Sequence, residues 1–101
     1  MLDSVEAILR YSRGITAGRF GSDEVLRDAI LMRLVAIGEA AANLPEAFIE
    51  RTPRIPWRSV IGMRNVIAHA YSSVNLAVVW TTVKDHLPDL RKKLRDLLSS
   101  C

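Results

Sequence analysis

Apolar residues recur at intervals of three and four through almost the whole chain, and this spacing restricts the fold more than any other feature of the sequence. Leu2, Val5, Ile8 and Leu9 predict a first helix up to Tyr11, stopping before Gly14. The stretch ITAGRFG reads as a turn-like linker. Ser22 is the expected N-cap of a long second helix, with Asp23 and Glu24 in the first turn, where carboxylates meet the positive end of the helix dipole. The stripe Leu26, Ile30, Leu34, Ile37, Ala41 and Leu44 carries that helix to Pro45, which closes it. Between Pro45 and Pro56, Phe48 and Ile49 fit one extra turn, and Pro53 and Pro56 prevent a continuous helix there. Pro56 suits the first position of a third helix, whose apolar face is Val60, Met63, Val66, Ile67 and Ala70 and which ends near Ala70. Asn75 can cap the last helical region, Leu76 to Leu98, where Pro88 marks a kink or a restart. No alternating strand pattern survives, because the β-branched residues also fall at helical spacings. The expected architecture is all-α, an antiparallel bundle of four to five helices in one domain spanning residues 1–101.

Half of the 101 residues are hydrophobic, ample for a core and enough in so short a chain to predict a homodimer burying aliphatic and tryptophan surface. The net charge of +3 comes from eleven Arg and three Lys against eleven acids. Arginine's planar fork suits phosphate and carboxylate, so an anionic partner is one reading; ordinary solvated helix residues are the other. The single cysteine, Cys101, excludes an internal disulfide and a Cys-based zinc site. No stretch approaches the roughly 18 apolar residues of a membrane span, and MLDSVEAILRYSR lacks the pattern of a signal peptide. The expectation is a cytoplasmic protein with no membrane partner.

Most catalytic templates fail by absence: there is no Gly-rich phosphate loop, no HExxH and no carboxylate cluster at metal spacing. One segment stands out. GMRNVIAHAYSSV, residues 62–74, gathers Arg64, Asn65, His69 and Tyr71 within an otherwise apolar run. Asn65 and His69 lie one helical turn apart on one face, with Arg64 beside Asn65, so the polar residues are expected to form a patch at the margin of the core. A guanidinium, an imidazole and an amide are ingredients for handling a phosphodiester: Arg neutralises phosphoryl charge and His moves protons. From these residues alone, a structural or solvated Arg and His pair explains the pattern as well. His86 reads as a surface residue, and Trp57 and Trp80 as core or interface anchors. Glu39 can pair with an arginine across the bundle, without the sequence choosing which. The basic run RKKLR, residues 91–95, fits either RNA steering or a solvated helix face.

Several separate signatures sharpen the choice. IGEA at 37–40, IPW at 55–57, GMRN at 62–65, and Val79, Trp80, Leu87 and Pro88 together resemble the HepT family of HEPN-domain proteins over roughly residues 20–95. Arg64, Asn65 and His69 match the motif of HEPN ribonucleases, and Tyr71 completes the RxxxxHxY form typical of HepT. Asn75 departs from the Val-Asp expected there, which concerns a helix cap more than the site. The resemblance implies a HEPN-like bundle that dimerises so that two motifs face each other across a cleft. It also implies a metal-independent endoribonuclease toxin, needing no cofactor, that cleaves an RNA substrate with Arg64 and His69 as catalytic residues and Asn65 in support. The family's toxins are paired with an MNT-type nucleotidyltransferase antitoxin, which in some systems transfers AMP from ATP onto the motif's tyrosine, here Tyr71. The alternative is a catalytically inactive binding partner that serves as acceptor subunit of a minimal nucleotidyltransferase, and a purely structural dimer is a third reading.

Overall fold

A computed structural model describes residues 1–99; Ser100 lies outside the described residues, as does Cys101, on which the disulfide and zinc arguments rested. Four helices form the frame: α1 (Leu2–Tyr11), α3 (Glu24–Ala42), α5 (Trp57–His69) and α7 (Leu87–Ser99). Three six-residue helices join them: α2 (Ala17–Ser22), α4 (Glu46–Arg51) and α6 (Leu76–Thr81). A 3₁₀ turn at Tyr71–Ser73 follows α5, and one π-helical turn at Thr82–His86 joins α6 to α7. No strand occurs among the described residues, so the all-α expectation stands.

The first helix ends as the sequence requires. Gly14 adopts φ +72, a left-handed conformation that glycine takes without steric cost, and it turns the chain away from α1. The supposed linker ITAGRFG then corrects the sequence reading, because it contains a helix. The Thr16 side chain accepts the Arg19 N–H at 3.1 Å and caps α2, whose Phe20 is fully buried and stacks on Trp80 with ring centroids 4.9 Å apart. A second correction follows at Ser22. It is the last residue of α2, and the N-cap of α3 is Asp23, whose Oδ1 accepts the Leu26 N–H at 3.1 Å. That bond, with Arg19 beside it, holds the Asp23 carboxyl below the usual carboxylate range.

The long helix α3 is the centre of the molecule, packed on α5 along one side and on α1 and α2 along others. Ile30, Leu31, Leu34, Ile37 and Ala41 of α3 meet Val5 and Ile8 of α1, Ile67 of α5, and Val79, Val83, Leu87, Leu90 and Leu94 of the last helical region in one core. Trp57 is a core anchor: its Nε1–H donates to Thr52 Oγ1 at 2.9 Å, and its ring lies against Phe48. Asn75 caps α6, accepting the Ala77 and Val78 N–H groups. Pro88 sits in the first turn of α7, directly after the π turn. A proline cannot donate to the preceding turn, and the wider π turn absorbs that mismatch while the chain continues helical. Among the described residues no helix is long and apolar enough to cross a membrane.

Candidate active site

The site begins with how closely α3 and α5 approach. A side chain at Gly38 would place its Cβ on the Cβ of Arg64 and 2.7 Å from its Cγ, so only glycine lets the Arg64 stem lie against α3. The next residue of IGEA completes the fit: Arg64 Nη1 donates to Glu39 Oε1 at 2.7 Å. This settles which arginine Glu39 pairs with. The Arg64 side chain keeps 21% of its exposure. Its Nε–H is shielded from solvent and has no acceptor, while the Nη2 donors have no partner among the described residues. Close packing has thus fixed a guanidinium at the α3–α5 seam with part of its hydrogen-bonding capacity unused.

Asn65 and His69 are exposed on the outer ridge of α5 and make no side-chain hydrogen bond or ion pair among the described residues. Arg64 and His69 are five residues apart, so they diverge by about 140° around the helix axis. Within one chain, Arg64 turns onto α3 and His69 faces outward, and the two side chains share no hydrogen bond. The apolar face also needs one correction: Val66, expected in the core, is 53% exposed. Of α5 only Trp57 and Ile67 are fully enclosed, because α5 packs on α3 but not closely on the last helical region. That separation leaves an apolar cleft of about 470 Å³ lined by Val60, Met63, His86, Leu87 and Leu90 among others; Arg64, Asn65, His69 and Tyr71 do not line it.

Tyr71 follows α5 in the 3₁₀ turn. Its ring is half exposed, and its hydroxyl donates to Asp28 Oδ1 at 2.6 Å. The hydrogen bond from the phenol to this carboxylate, followed by partial desolvation and the carboxylate's charge, raises the Tyr71 pKa above its ordinary value. Arg27 Nε is 3.9 Å from the same Asp28 oxygen. Asp28 is the site residue that sequence reasoning missed. Glu39 and Asp28 stand on the flank of α3 that faces α5, one holding Arg64 and the other Tyr71, and this pairing shows the two helices to be antiparallel. No group of three His, Cys, Asp or Glu residues that could hold a metal ion occurs among the described residues.

The basic run on α7 is largely counter-charged. Arg91 and Arg95 pair with Glu6 of α1 at 3.5 and 2.9 Å, and Lys93 pairs with Asp89 at 2.9 Å. The Lys93 hydrogen bond holds the Asp89 carboxyl below the usual range.

The whole of this framework has relatives. A protein from Thermococcus cleftensis named "Probable ribonuclease HepT" is 37% identical over 95 residues, covering 94% of this chain and 86% of its own. A "Putative RNase" from Caldanaerobacter subterraneus subsp. tengcongensis is 35% identical over 98 residues, covering 97% of this chain and 88% of its own. A longer Methanocaldococcus jannaschii protein, named as a gamma-glutamylcyclotransferase and putative RNase, is 34% identical over 98 residues, which make up 44% of its length. No solved structure matches the chain at a significant level. The profile of one family, described as ribonuclease HepT-like, matches residues 1–97, so the chain belongs to the HepT-like ribonuclease family.

Proposed function

We propose that this chain is the toxin of a toxin–antitoxin pair, a metal-independent endoribonuclease that acts in the cytoplasm as a homodimer. Arg64 and His69 cleave RNA in the cleft between two copies, and an MNT-type nucleotidyltransferase antitoxin silences the site by transferring AMP to Tyr71. The observation that carries the reading is the state of two side chains on one helix. Arg64 is held by Glu39 with donors to spare, and the His69 side chain is exposed with no hydrogen-bond or ion-pair partner among the described residues.

In the proposed reaction, Arg64 donates from its Nη2 group to the scissile phosphate and stabilises the charge that builds on its oxygens. His69 takes the proton of the neighbouring 2′-OH, whose oxygen attacks phosphorus; the P–O5′ bond breaks, and the proton passes to the departing 5′-oxygen. Single-stranded or looped RNA is the fitting substrate, because its backbone is free to bring the attacking oxygen in line. Asn65 positions His69 or the phosphate, since an amide cannot act as a base. The divergence of Arg64 from His69 within one chain supports a cleft shared between two copies, and exposed Val25 and Met32 on α3 offer apolar surface for the contact. Modification of Tyr71 fits the same picture. Its side chain is half exposed, its proton already points at Asp28, and a bulky anion two residues beyond His69 would repel RNA from the cleft.

The test is cleavage of a mixed cellular RNA pool in EDTA by the wild-type protein and by Arg64→Ala and His69→Ala variants. Cleavage by wild type, lost by at least about a hundredfold in both variants, is the expected result. Equal cleavage by all three proteins, or none by any, would overturn the nuclease reading and favour the acceptor subunit of a nucleotidyltransferase.

A further inference from the structure

The acids of this chain are unevenly placed. From Arg51 to Lys84 there is no Asp or Glu, while the same stretch carries Arg51, Arg54, Arg58, Arg64 and Lys84. The whole of α5 lies inside that stretch, and among the described residues its one ion pair is that of Arg64 with Glu39. The other cations of the stretch differ in what surrounds them. Lys84 lies over the Trp80 ring at 5.3 Å, Arg54 sits within the field of Asp89, and Arg51 follows Glu50 directly. Arg58 is exposed, makes no ion pair or hydrogen bond through its side chain among the described residues, and has no acid on its own helix.

Its position on α5 gives that charge a direction. Arg58, Gly62, Asn65 and His69 recur at intervals of four, three and four and form one ridge, on the side of the helix opposite Ile67. At about 1.5 Å per residue, Arg58 lies about 10 Å along the axis from Asn65 and about 16 Å from His69. Gly62, between them, has nothing within 4 Å of a Cβ built on it, so the ridge is low and open at its middle. A strand whose scissile phosphate reaches His69 would carry its neighbouring phosphates along this open ridge toward a free guanidinium.

We propose that Arg58 is a phosphate-binding residue that holds single-stranded RNA along the outer ridge of α5, in line with Asn65 and His69. The inference rests on the nuclease reading for its substrate and goes beyond it in naming a second contact remote from the chemistry. Arg58 sets affinity and register on the strand, and it takes no part in the bond-breaking step.

The experiment uses the full chain and a 5′-labelled single-stranded RNA oligonucleotide, with binding followed by fluorescence anisotropy over a salt series and cleavage followed separately. Arg58→Ala is compared with Arg13→Ala, which removes the same charge from an exposed residue just after α1. Arg58→Ala should raise KM several-fold, leave kcat within about twofold, and reduce the steepness of log affinity against log salt by roughly 0.7, the value of one phosphate contact on a single strand. Arg58→Lys should recover most of the affinity, and a dinucleoside monophosphate, whose sole phosphate is the scissile one, should be cleaved equally by wild type and Arg58→Ala. Unchanged thermal midpoints confirm that the fold is intact. Cleavage by wild type with identical KM and salt slopes for the Arg58 and Arg13 variants would sink this inference and leave the nuclease reading standing. Arg58-dependent binding without cleavage by any protein would uphold it and remove the nuclease reading. Absence of RNA binding by wild type would overturn both.

Discussion

Tyr71 and Arg64 share a design: each leaves α5 or the turn after it and is held by an acid on the flank of α3. Glu39 holds Arg64 at 2.7 Å and Asp28 holds Tyr71 at 2.6 Å, so the packing of two helices fixes both polar groups. The tyrosine's tether is sensitive to alkali. A pKa raised on folding contributes stability that is fully present below the unfolded value, here the ordinary 10.0 of tyrosine, and is lost as pH climbs through the higher folded value. Titration of tyrosinate absorbance should therefore show one phenol ionising above the ordinary range, and Asp28→Asn should bring it back down. A titration curve unchanged by that substitution would mean that the hydrogen bond does not persist in solution. The chemistry-bearing residue types of this site were legible in the sequence, since Arg64, Asn65, His69 and Tyr71 fall within eight positions. Their partners were not. Asp28 lies 43 residues from Tyr71, and a single acid on a helix carries no local sign of what it will meet across a packed seam. Glu39 was readable as half of a pair, and the choice of Arg64 depended on Gly38, whose lack of a side chain brings the two helices together.

At the scale of elements, helical periodicity was most legible where the helices are long. The frame α1, α3, α5 and α7 follows its apolar stripes and its proline and glycine stops, and Asn75 caps where its side chain suggested. The short helix α2 escaped because AGRFGS carries two glycines and only one large apolar residue, which leaves no period to detect. Its existence depends on packing. Phe20 is 1% exposed and stacked on Trp80, so the core recruits a segment whose own propensity is weak. Val66 erred in the other direction: its spacing suits a buried face, but the last helical region does not close over α5. The dependence of α2 on its single anchor can be measured. Phe20→Ala should cost about 3–5 kcal/mol in urea unfolding at fixed protein concentration, through lost burial and the cavity left beside Trp80. A cost below about 1 kcal/mol, the range of a simple surface change, would mean that α2 is not held by this ring.

For the whole molecule, the divergence of Arg64 and His69 becomes a prediction about assembly. In one chain the guanidinium turns onto α3 and the imidazole faces outward, about 140° away around the same helix. If a two-fold dimer of the proposed kind sets the two α5 helices on opposite walls of an open cleft, the His69 end of each ridge faces the Arg64 seam of the other copy across the RNA, and every site takes its arginine from one protomer and its histidine from the other. Two dead variants should then restore each other. Arg64→Ala and His69→Ala proteins, each inactive alone, are unfolded together, refolded as a mixture and assayed on RNA at a concentration where the dimer prevails. Half of the dimers should be mixed, and each mixed dimer should have one complete site of two, giving roughly a quarter of the wild-type rate. A mixture as inactive as its components, with mixed dimers verified by mass, would place both residues of a working site on one chain and require α5 to change conformation when RNA binds. A monomeric mass at micromolar concentration, together with full wild-type cleavage, would remove the shared cleft altogether.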